Sequence, residues 1–566
     1  MDANIAEWSV FMNRLVAWLA LALVLFGAGM RPALAQGGPP PPFAPLPPPP
    51  VPVENPQTPA KIALGTALFW DEQLSQTGTV ACGTCHMPRA GGSDPRTLAP
   101  NPASVHPGPD VLFNTADDII GSFGVPRHDG NGLYLFDNAF GMAPQVGNRQ
   151  TQTAINSTYP QLLFWDGRAG QVFIDPDTQQ PLIGIGGALE NQALGPVVNS
   201  VEMAHVGGTL ADMTARIAAA RPLALSPQVP VALADWIAGR GYPELFAEVF
   251  GTPEVTAARI AYAMASYQRT LVSNQTPHDR QLAGVPGAMT PQELAGRQAF
   301  VQAGCARCHG GPELSNNAFL YIGVRPQAAD PGRFAVTGVN GDRGRMRTPP
   351  LRNIELSAPY FADGRFRTLE EVIAFYNRGG DFTAGNKDPR IVPLGLTPQQ
   401  MADIAVFLRR PLTDPRVRDE TGPFARPALY SESDRVPQLH TAGTPGIGGA
   451  TPRLTAIEPP LAGSSNFTIG IDGGRGSAQA TVVLATSDPT APDTPLLLTQ
   501  TVQLSALGAA SLHLALPNDG NLEGVPLYLR VFVEDAAAAG GHSSTASVRF
   551  TLIGIDDFVL RDGFED

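Results

Sequence analysis

The chain of 566 residues is too long for one compact core, so two or more domains are expected. Its formal charge of −13, from 38 basic against 51 acidic residues, argues against a nucleic-acid backbone or an anionic membrane surface as partner. A mean hydropathy of −0.03 and 43% hydrophobic residues describe a soluble globular protein, and 60 Gly with 56 Pro imply abundant loops.

The N-terminus has the form of an export signal over residues 1–35. Met12-Asn13-Arg14 begins a short positive region, residues 15–28 are apolar or small, and Ala33-Leu34-Ala35 is a small-x-small cleavage site. A membrane anchor is the rival reading, but the run is short and Arg31 and Pro32 follow it closely. No later stretch is long enough to span a bilayer, which places the mature chain in the periplasm or outside the cell. Residues 36–56 are mostly proline and read as an extended spacer without a core.

Residues 59–69 carry Ile62, Leu64, Ala67 and Leu68 at helical spacing. Residues 91–149 are rich in Gly, Pro and Asp and read as an ordered loop insertion. Helices are expected over 210–220 and 257–271. Thr290-Pro291-Gln292-Glu293 is a capping box with Pro at the first helical position, opening another helix. Thr368-Leu369-Glu370-Glu371 opens a further one, which Gly379-Gly380 ends. Beyond residue 443 helical spacing gives way to alternating strands separated by Asp, Gly and Asn turns. The expected fold is mainly α: two helical domains (57–285 and 286–425), a linker (426–452), an immunoglobulin-like β-sandwich (453–556) and a short tail (557–566). Within the sandwich His513 and His542 are lone histidines, read as structural.

Cysteine spacing makes the two helical domains cytochrome c-like haem domains in expectation. All four cysteines fall in two copies of one pattern, Cys82-Gly83-Thr84-Cys85-His86 and Cys305-Ala306-Arg307-Cys308-His309. Two thiols one helical turn apart reach the two vinyl groups of a haem as thioethers, and the adjacent imidazole meets the iron. Two disulfides would not explain the histidine that follows each pair. A zinc site wants four ligands close together, and these pairs lie over two hundred residues apart. A thioredoxin-like motif would need a βαβ context that neither copy has. The acidic balance of such a protein suits steering of a basic electron donor, and equally serves solubility.

Around both motifs the sequence resembles the bacterial di-haem cytochrome c peroxidases, which include the MauG-type enzymes. The segments that carry the likeness include Leu64-Gly65-Thr66-Ala67-Leu68-Phe69, Phe164-Trp165-Asp166-Gly167-Arg168-Ala169, Gln192-Ala193-Leu194-Gly195-Pro196, Val201-Glu202-Met203, Leu351-Arg352-Asn353 and Ala358-Pro359-Tyr360-Phe361. It covers roughly residues 57–425, in the family's order.

The resemblance implies that the haem on His86 reacts with hydrogen peroxide, with Gln192 and Glu202 on its distal side and Trp165 between the haems. A positioned carboxylate can move a proton from the inner to the outer peroxide oxygen, and an amide can hold the oxygens. For the haem on His309 it implies Tyr376 as sixth ligand where the electron-accepting peroxidases have methionine. A phenolate favours ferric and higher-valent iron, whereas a thioether raises the potential. Met346 is the rival ligand, although its neighbours Arg343, Arg345 and Arg347 suggest a loop residue.

The sequence also departs from the family. Its usual histidine after Pro-Tyr-Phe is Ala362 here, and the displaceable distal histidine has no clear counterpart, His106 and His128 being the candidates. A calcium between the haems would draw on Gln150, Ser357 and the Pro359 carbonyl. His205 and His278 read as structural.

Three functions follow. The first is peroxide reduction with electrons from a small redox protein through the second haem. The second is a MauG-like oxidation of a protein or organic substrate by equivalents stored over both haems. The third is passive electron transfer, against which Glu202 and Gln192 beside an open haem count.

Overall fold

The structure, a computed structural model, describes residues 42–98, 101–492, 497–522 and 524–554. The expected signal peptide, the first residues of the proline-rich segment and the tail at 557–566 lie outside the described residues. No helix among the described residues is long and apolar enough to cross a membrane.

Each cysteine motif follows a helix that crosses a later helix at a glycine. In the first half, α1 (Pro59–Trp70) starts at Thr58, whose hydroxyl accepts from Lys61 N, with Pro59 at the first position. It leads through a short turn to α2 (Cys82–Cys85), and the chain continues through α3 (Ala188–Ala193), α4 (Leu210–Ala219) and α5 (Ala257–Gln268). Helix α1 packs on α5 so closely that a Cβ on Gly65 would lie 1.9 Å from the Ala263 carbonyl oxygen. Leu64, Leu68, Ile260 and Met264 close the core there.

In the second half, α6 (Pro291–Gln302) begins with the expected capping box: Glu293 N donates to Thr290 Oγ1 at 3.3 Å and Thr290 N to Glu293 Oε2 at 2.7 Å. Two later helices follow, α7 (Leu369–Asn377) and α8 (Pro398–Leu408). Helix α6 crosses α8 at Gly296, where a Cβ would lie 2.0 Å from Asp403 O, and Phe300, Phe375 and Phe407 fill the core.

The proline-rich segment is not a free spacer. Phe43 is buried, its ring centroid 4.9 Å from that of His278 and 6.1 Å from that of Phe407. Tyr159 Oη donates to Pro47 O at 2.8 Å. Asn55 is fully buried, donates to Glu190 Oε1 at 2.8 Å and accepts from Lys61 Nζ at 2.9 Å. An extended proline-rich chain makes no internal hydrogen bonds, so its carbonyls are available to neighbours. Here it straps both helical halves together.

The insertion contains two short strand pairs, β1 (Val105–His106) with β2 (Ile119–Ile120) and β3 (Phe123–Pro126) with β4 (Pro144–Val146). The expected linker at 426–452 is likewise structured. Tyr430 is fully buried, the Tyr430 and Ser431 N–H groups both donate to the Glu72 carboxylate, and β5 (Gln438–Leu439) joins the sheet that follows.

That C-terminal region holds β6 (Arg453–Thr455), β7 (Phe467–Asp472), β8 (Gln479–Ala485), β9 (Leu498–Gln503), β10 (Ala510–Leu514), β11 (Leu527–Glu534), β12 (His542–Ser544) and β13 (Val548–Phe550). They form one antiparallel sheet in the order β6-β7-β10 and another in the order β9-β8-β11-β13-β5, with β12 on β11. Ile469, Ile471 and Leu514 of the first share a core with Val482, Leu529 and Val531 of the second. Helices therefore dominate up to about residue 418 and sheets after it, so the chain as a whole combines helices and sheets.

The sheets grip the insertion. Tyr134 N donates to Ser511 Oγ at 2.9 Å, Tyr134 Oη to Glu458 Oε1 at 3.1 Å and Met142 N to Asp472 Oδ2 at 2.8 Å. The other end of the insertion holds the loop that carries Glu202: Gln145 Nε2 donates to Ser200 O at 2.8 Å and Val125 N to Val201 O at 3.1 Å. A Cβ on Gly124 would lie 2.7 Å from Glu202 Cα, so only glycine lets this strand approach so closely.

Burial pushes the Glu458 carboxyl up to about 7, against 4.5 unperturbed, although Thr468 N–H and the Tyr134 hydroxyl bond to it. Its contribution to stability is therefore fully present below pH 4.5 and lost as pH rises through 7. That loss is expected to reach roughly 3 kcal/mol. Glu458→Gln should flatten this part of the profile in urea unfolding followed from pH 4 to 8; an unchanged slope would refute the assignment.

Candidate functional site

The two motifs are presented alike. His86 Nδ1 lies 3.2 Å from Gly92 O, and His309 Nδ1 lies 3.3 Å from Leu314 O. A proton on Nδ1 donated to a carbonyl leaves the Nε2 lone pair for a metal. Burial lowers the pKa of both rings, that of His309 to about 4, so both stay neutral as ligands must. Glycine is required in the first motif because a Cβ on Gly83 would lie 2.2 Å from the Trp70 ring.

All four cysteines are free, so the disulfide alternative does not form. Burial pushes the thiols of Cys82 and Cys85 up to about 12 and that of Cys305 to about 11, so they are not ready-made thiolate metal ligands. Among the described residues no cluster of three His, Cys, Asp or Glu could hold a metal ion. Paired neutral thiols with a neutral, oriented imidazole beside an apolar cavity fit a haem better than zinc.

At the second motif that cavity measures about 230 Å³, and Cys305, Cys308, His309, Trp165, Met346 and Tyr376 line it. Helix α7 carries Tyr376 into it, with the Phe361 and Phe375 rings at 6.1 and 5.1 Å. Burial, with Cys305 and Cys308 near, raises the phenol above its ordinary value. Met346 is not loop filler: it pairs with Leu320 across a two-residue strand and faces the same cavity. Ala362 lines this cavity too.

Glu202 lines a second cavity, of about 430 Å³, with Phe164, Arg168, Asn191 and Asn199. It lies near enough to Cys82 and Cys85 to perturb both thiols. Burial raises the Glu202 carboxyl above the ordinary value, and Arg168 opposes that. Oε1 accepts from Asn199 Nδ2 at 3.1 Å. Gln192 stands on α3, half-buried, and is not among the lining residues. The neighbouring Asn191 is, but its amide is committed to Gly170 O and Val172 O, both at 2.7 Å.

Neither candidate distal histidine lines this cavity. His106 is in β1, where its Nδ1 accepts from Gly108 N at 3.1 Å. His128 is buried, with Nδ1 2.6 Å from Pro126 O and its ring packed on His205.

One dipeptide joins the two cavities: Phe164 lines the one at Glu202 and Trp165 the one at His309. Phe164 has φ +68°, a left-handed conformation that costs on the order of 1–3 kcal/mol in a non-glycine residue. The surroundings hold it there. Trp165 Nε1 donates to Gln150 O at 2.7 Å, Arg347 N donates to Trp165 O at 2.8 Å, and Arg168 stacks 3.6 Å over the Phe164 ring. Arg149 ties Asp166 to Asp330, 2.7 Å from each, across the two halves.

Of the calcium candidates, Gln150 Oε1 is buried and without a partner, as a cation ligand would be. Gln150 N donates to Ala362 O at 2.7 Å, which brings it to the turn that holds Pro359. Ser357 Oγ instead donates to Ile354 O at 3.3 Å.

Sequence reasoning gave no role to Asn199, Arg168 or Gly124. The first two had a signal: Asn199 precedes Glu202 by three residues, and Arg168 belongs to a recognised segment. Gly124 had none, because the loop it packs on is distant in sequence.

The family model for di-haem cytochrome c peroxidase matches residues 59–286, and that for cytochrome c matches residues 293–410. A cytochrome-c peroxidase, IdrP1, of Denitromonas iodatirespirans is 30% identical over 67% of this chain and 89% of its own. The methylamine utilization protein MauG of Methylorubrum extorquens is 30% identical over 64% of this chain and 81% of its own. Among solved structures, a MauG-like protein associated with microbial copper homeostasis aligns at 26% identity and a TM-score of 0.48, over 67% of this chain and 96% of its own.

Replacing both cysteines of either motif by alanine is expected to leave about half of the covalently bound haem, one site of two. The pyridine haemochrome absorbance of denatured, acid-acetone-washed protein measures it, and an undiminished signal contradicts the motif assignment.

Proposed function

The chain belongs to the di-haem cytochrome c peroxidase family and is an oxidoreductase that uses peroxide; from that premise we propose that it reduces hydrogen peroxide beside Glu202, with haems held covalently by Cys82 and Cys85 and by Cys305 and Cys308. His86 and His309 would each offer an imidazole nitrogen to the iron. The observation that carries the reading is Glu202, a half-buried carboxylate that lines a cavity, accepts from Asn199 through Oε1 and lies close to both cysteines of the first motif.

The haems supply redox-active iron, and protons and positions fall to the chain. Glu202 Oε2 takes the proton of the inner peroxide oxygen and returns it to the outer one, so that oxygen leaves as water. Arg168 offsets part of the cost of ionising Glu202. Asn199 supplies the amide that holds Glu202 at the cavity, and Gln192 on α3 would have to turn toward the cavity to hold the peroxide oxygens. Two electrons and two protons complete the reduction to two waters. The electrons come from a small redox protein at the His309 site and pass Trp165, whose position in the Phe164-Trp165 pair supports a relay.

A second reading is favoured by Tyr376. A phenolate ligand at the second haem would stabilise oxidised iron, and the equivalents would then be drawn from a protein or organic substrate. Passive electron transfer alone would leave Glu202 without a task. A calcium ion at Gln150, Ser357 and Pro359 would stiffen the ground between the motifs, and the unpaired Gln150 Oε1 supports it. The export signal in the sequence supports a periplasmic or secreted location. The two facing sheets support an immunoglobulin-like C-terminal domain.

Glu202→Gln is expected to slow the peroxide step by about 10²–10⁴. Because the base must be ionised and burial raises its pKa, the wild-type rate should rise with pH through a point above the ordinary carboxylate range. Stopped-flow mixing with peroxide between pH 4 and 8 reads both, and a variant that keeps rate and pH limb would sink the assignment. Tyr376→Phe should shift the second haem's spectrum and raise its potential. If Tyr376→Phe changes neither while Met346→Leu changes both, Met346 is the ligand.

A further inference from the structure

We propose that the loops around the second motif form a basic docking face for a small redox protein whose contact face is acidic. This deepens the reading of the His309 site as the point where electrons arrive, and rests on it.

Formal charge alone suggests the opposite, an acidic protein steering a basic donor. The charge is unevenly distributed. Residues 286–425 hold 17 basic against 14 acidic side chains, in a chain of 38 against 51. Its placement sharpens the contrast. Arg307, between the two cysteines, is exposed, and it and Arg390 both act on the Cys308 thiol. Among the described residues Arg307 has no carboxylate partner. Arg343 is exposed too, stacked 3.6 Å over Phe334 and bonded to Asn340 Oδ1 rather than to an acid.

In three ion pairs on these loops the carboxylate lies beneath and the guanidinium outside. Side-chain exposure is 36% for Arg390 against 10% for Asp388, 45% for Arg378 against 18% for Asp381, and 35% for Arg345 against 20% for Asp342. An approaching protein therefore meets positive charge even where the pair is formally neutral.

These residues share one surface. Asn386 Nδ2 donates to Gly341 O and Arg343 O, both at 2.9 Å, and its Oδ1 accepts from Gln327 Nε2 at 2.6 Å. That joins the loop bearing Arg343 to the loop bearing Arg390. Val339, Phe382 and Val392 are exposed on the same two loops. Apolar side chains among outward arginines suit a transient redox complex: the apolar contact permits close approach, and the charge steers encounter. The sign selects an acidic partner.

The test uses the full-length, haem-loaded enzyme with two forms of one donor, reduced basic mitochondrial-type cytochrome c and the same protein succinylated to make it acidic. At low ionic strength kcat/KM for the acidic form should exceed that for the basic form by about tenfold or more, and the gap should close as salt rises. Arg307→Glu with Arg343→Glu should invert the preference. A basic donor favoured by the wild type, a rate indifferent to salt, or a preference that survives charge reversal each overturns the docking face. Ascorbate-reduced enzyme given one equivalent of peroxide supplies the control. Turnover there without donor discrimination rejects the docking face alone, whereas no turnover rejects the peroxidase reading beneath it.

Discussion

The close helix crossings at Gly65 and Gly296 are the constraint on which the two sites depend. A helix can deliver a Cys-x-x-Cys-His segment to a fixed place only if it is itself fixed, and each pre-motif helix lies backbone to backbone on a later helix. Side chains at these positions would separate the helices and move the cysteines with them. The same architecture therefore appears twice: a capped helix, a glycine crossing, a tight cysteine turn, then a histidine whose ring is set by a carbonyl five or six residues on.

Between these units the chain adds long-range polar ties to a partly shared core, in which Val417 and Phe424 pack with the first unit. The proline-rich strap inserts Asn55 beside the buried Glu190–Arg269 pair and Phe43 among Phe300 and Phe407. Removing one partner of such a buried charge network is costly because the other charge is left unpaired. The sheets act through the insertion. They hold Tyr134 and Met142 at one end, and strand β3 lies against the Glu202 backbone at the other. The C-terminal domain is thus mechanically continuous with the Glu202 loop.

Electrostatics divide the labour. Burial keeps both histidines neutral, holds the cysteine thiols protonated and raises Glu202, and Arg168 opposes the last. Positive charge is instead kept outside, on the arginines around the second motif. Phe164 and Trp165, held in a strained turn by Arg149 and Arg168, bring the two cavities within one peptide bond of each other.

Local chemistry was legible in the sequence. Capping boxes at Thr290 and Thr368, the helix from Pro59, the alternating strands after residue 443 and the two cysteine motifs all rest on residues within a few positions of each other, and short-range sterics and hydrogen bonding fix them. The sequence alone thus determined two haem-motif units, a carboxylate candidate in Glu202 and a sheet-rich C-terminus. Tertiary structure decided what proline-rich and linker-like composition could not show: that 43–56 is a strap, that 426–452 is clamped by Glu72, and that His106 and His128 do not line the Glu202 cavity. It also brought Met346 and Tyr376 to one cavity and put Gly124 against Glu202. The reason is physical. Those outcomes depend on which distant surfaces meet, and extended or loop segments carry no periodicity that records their partners.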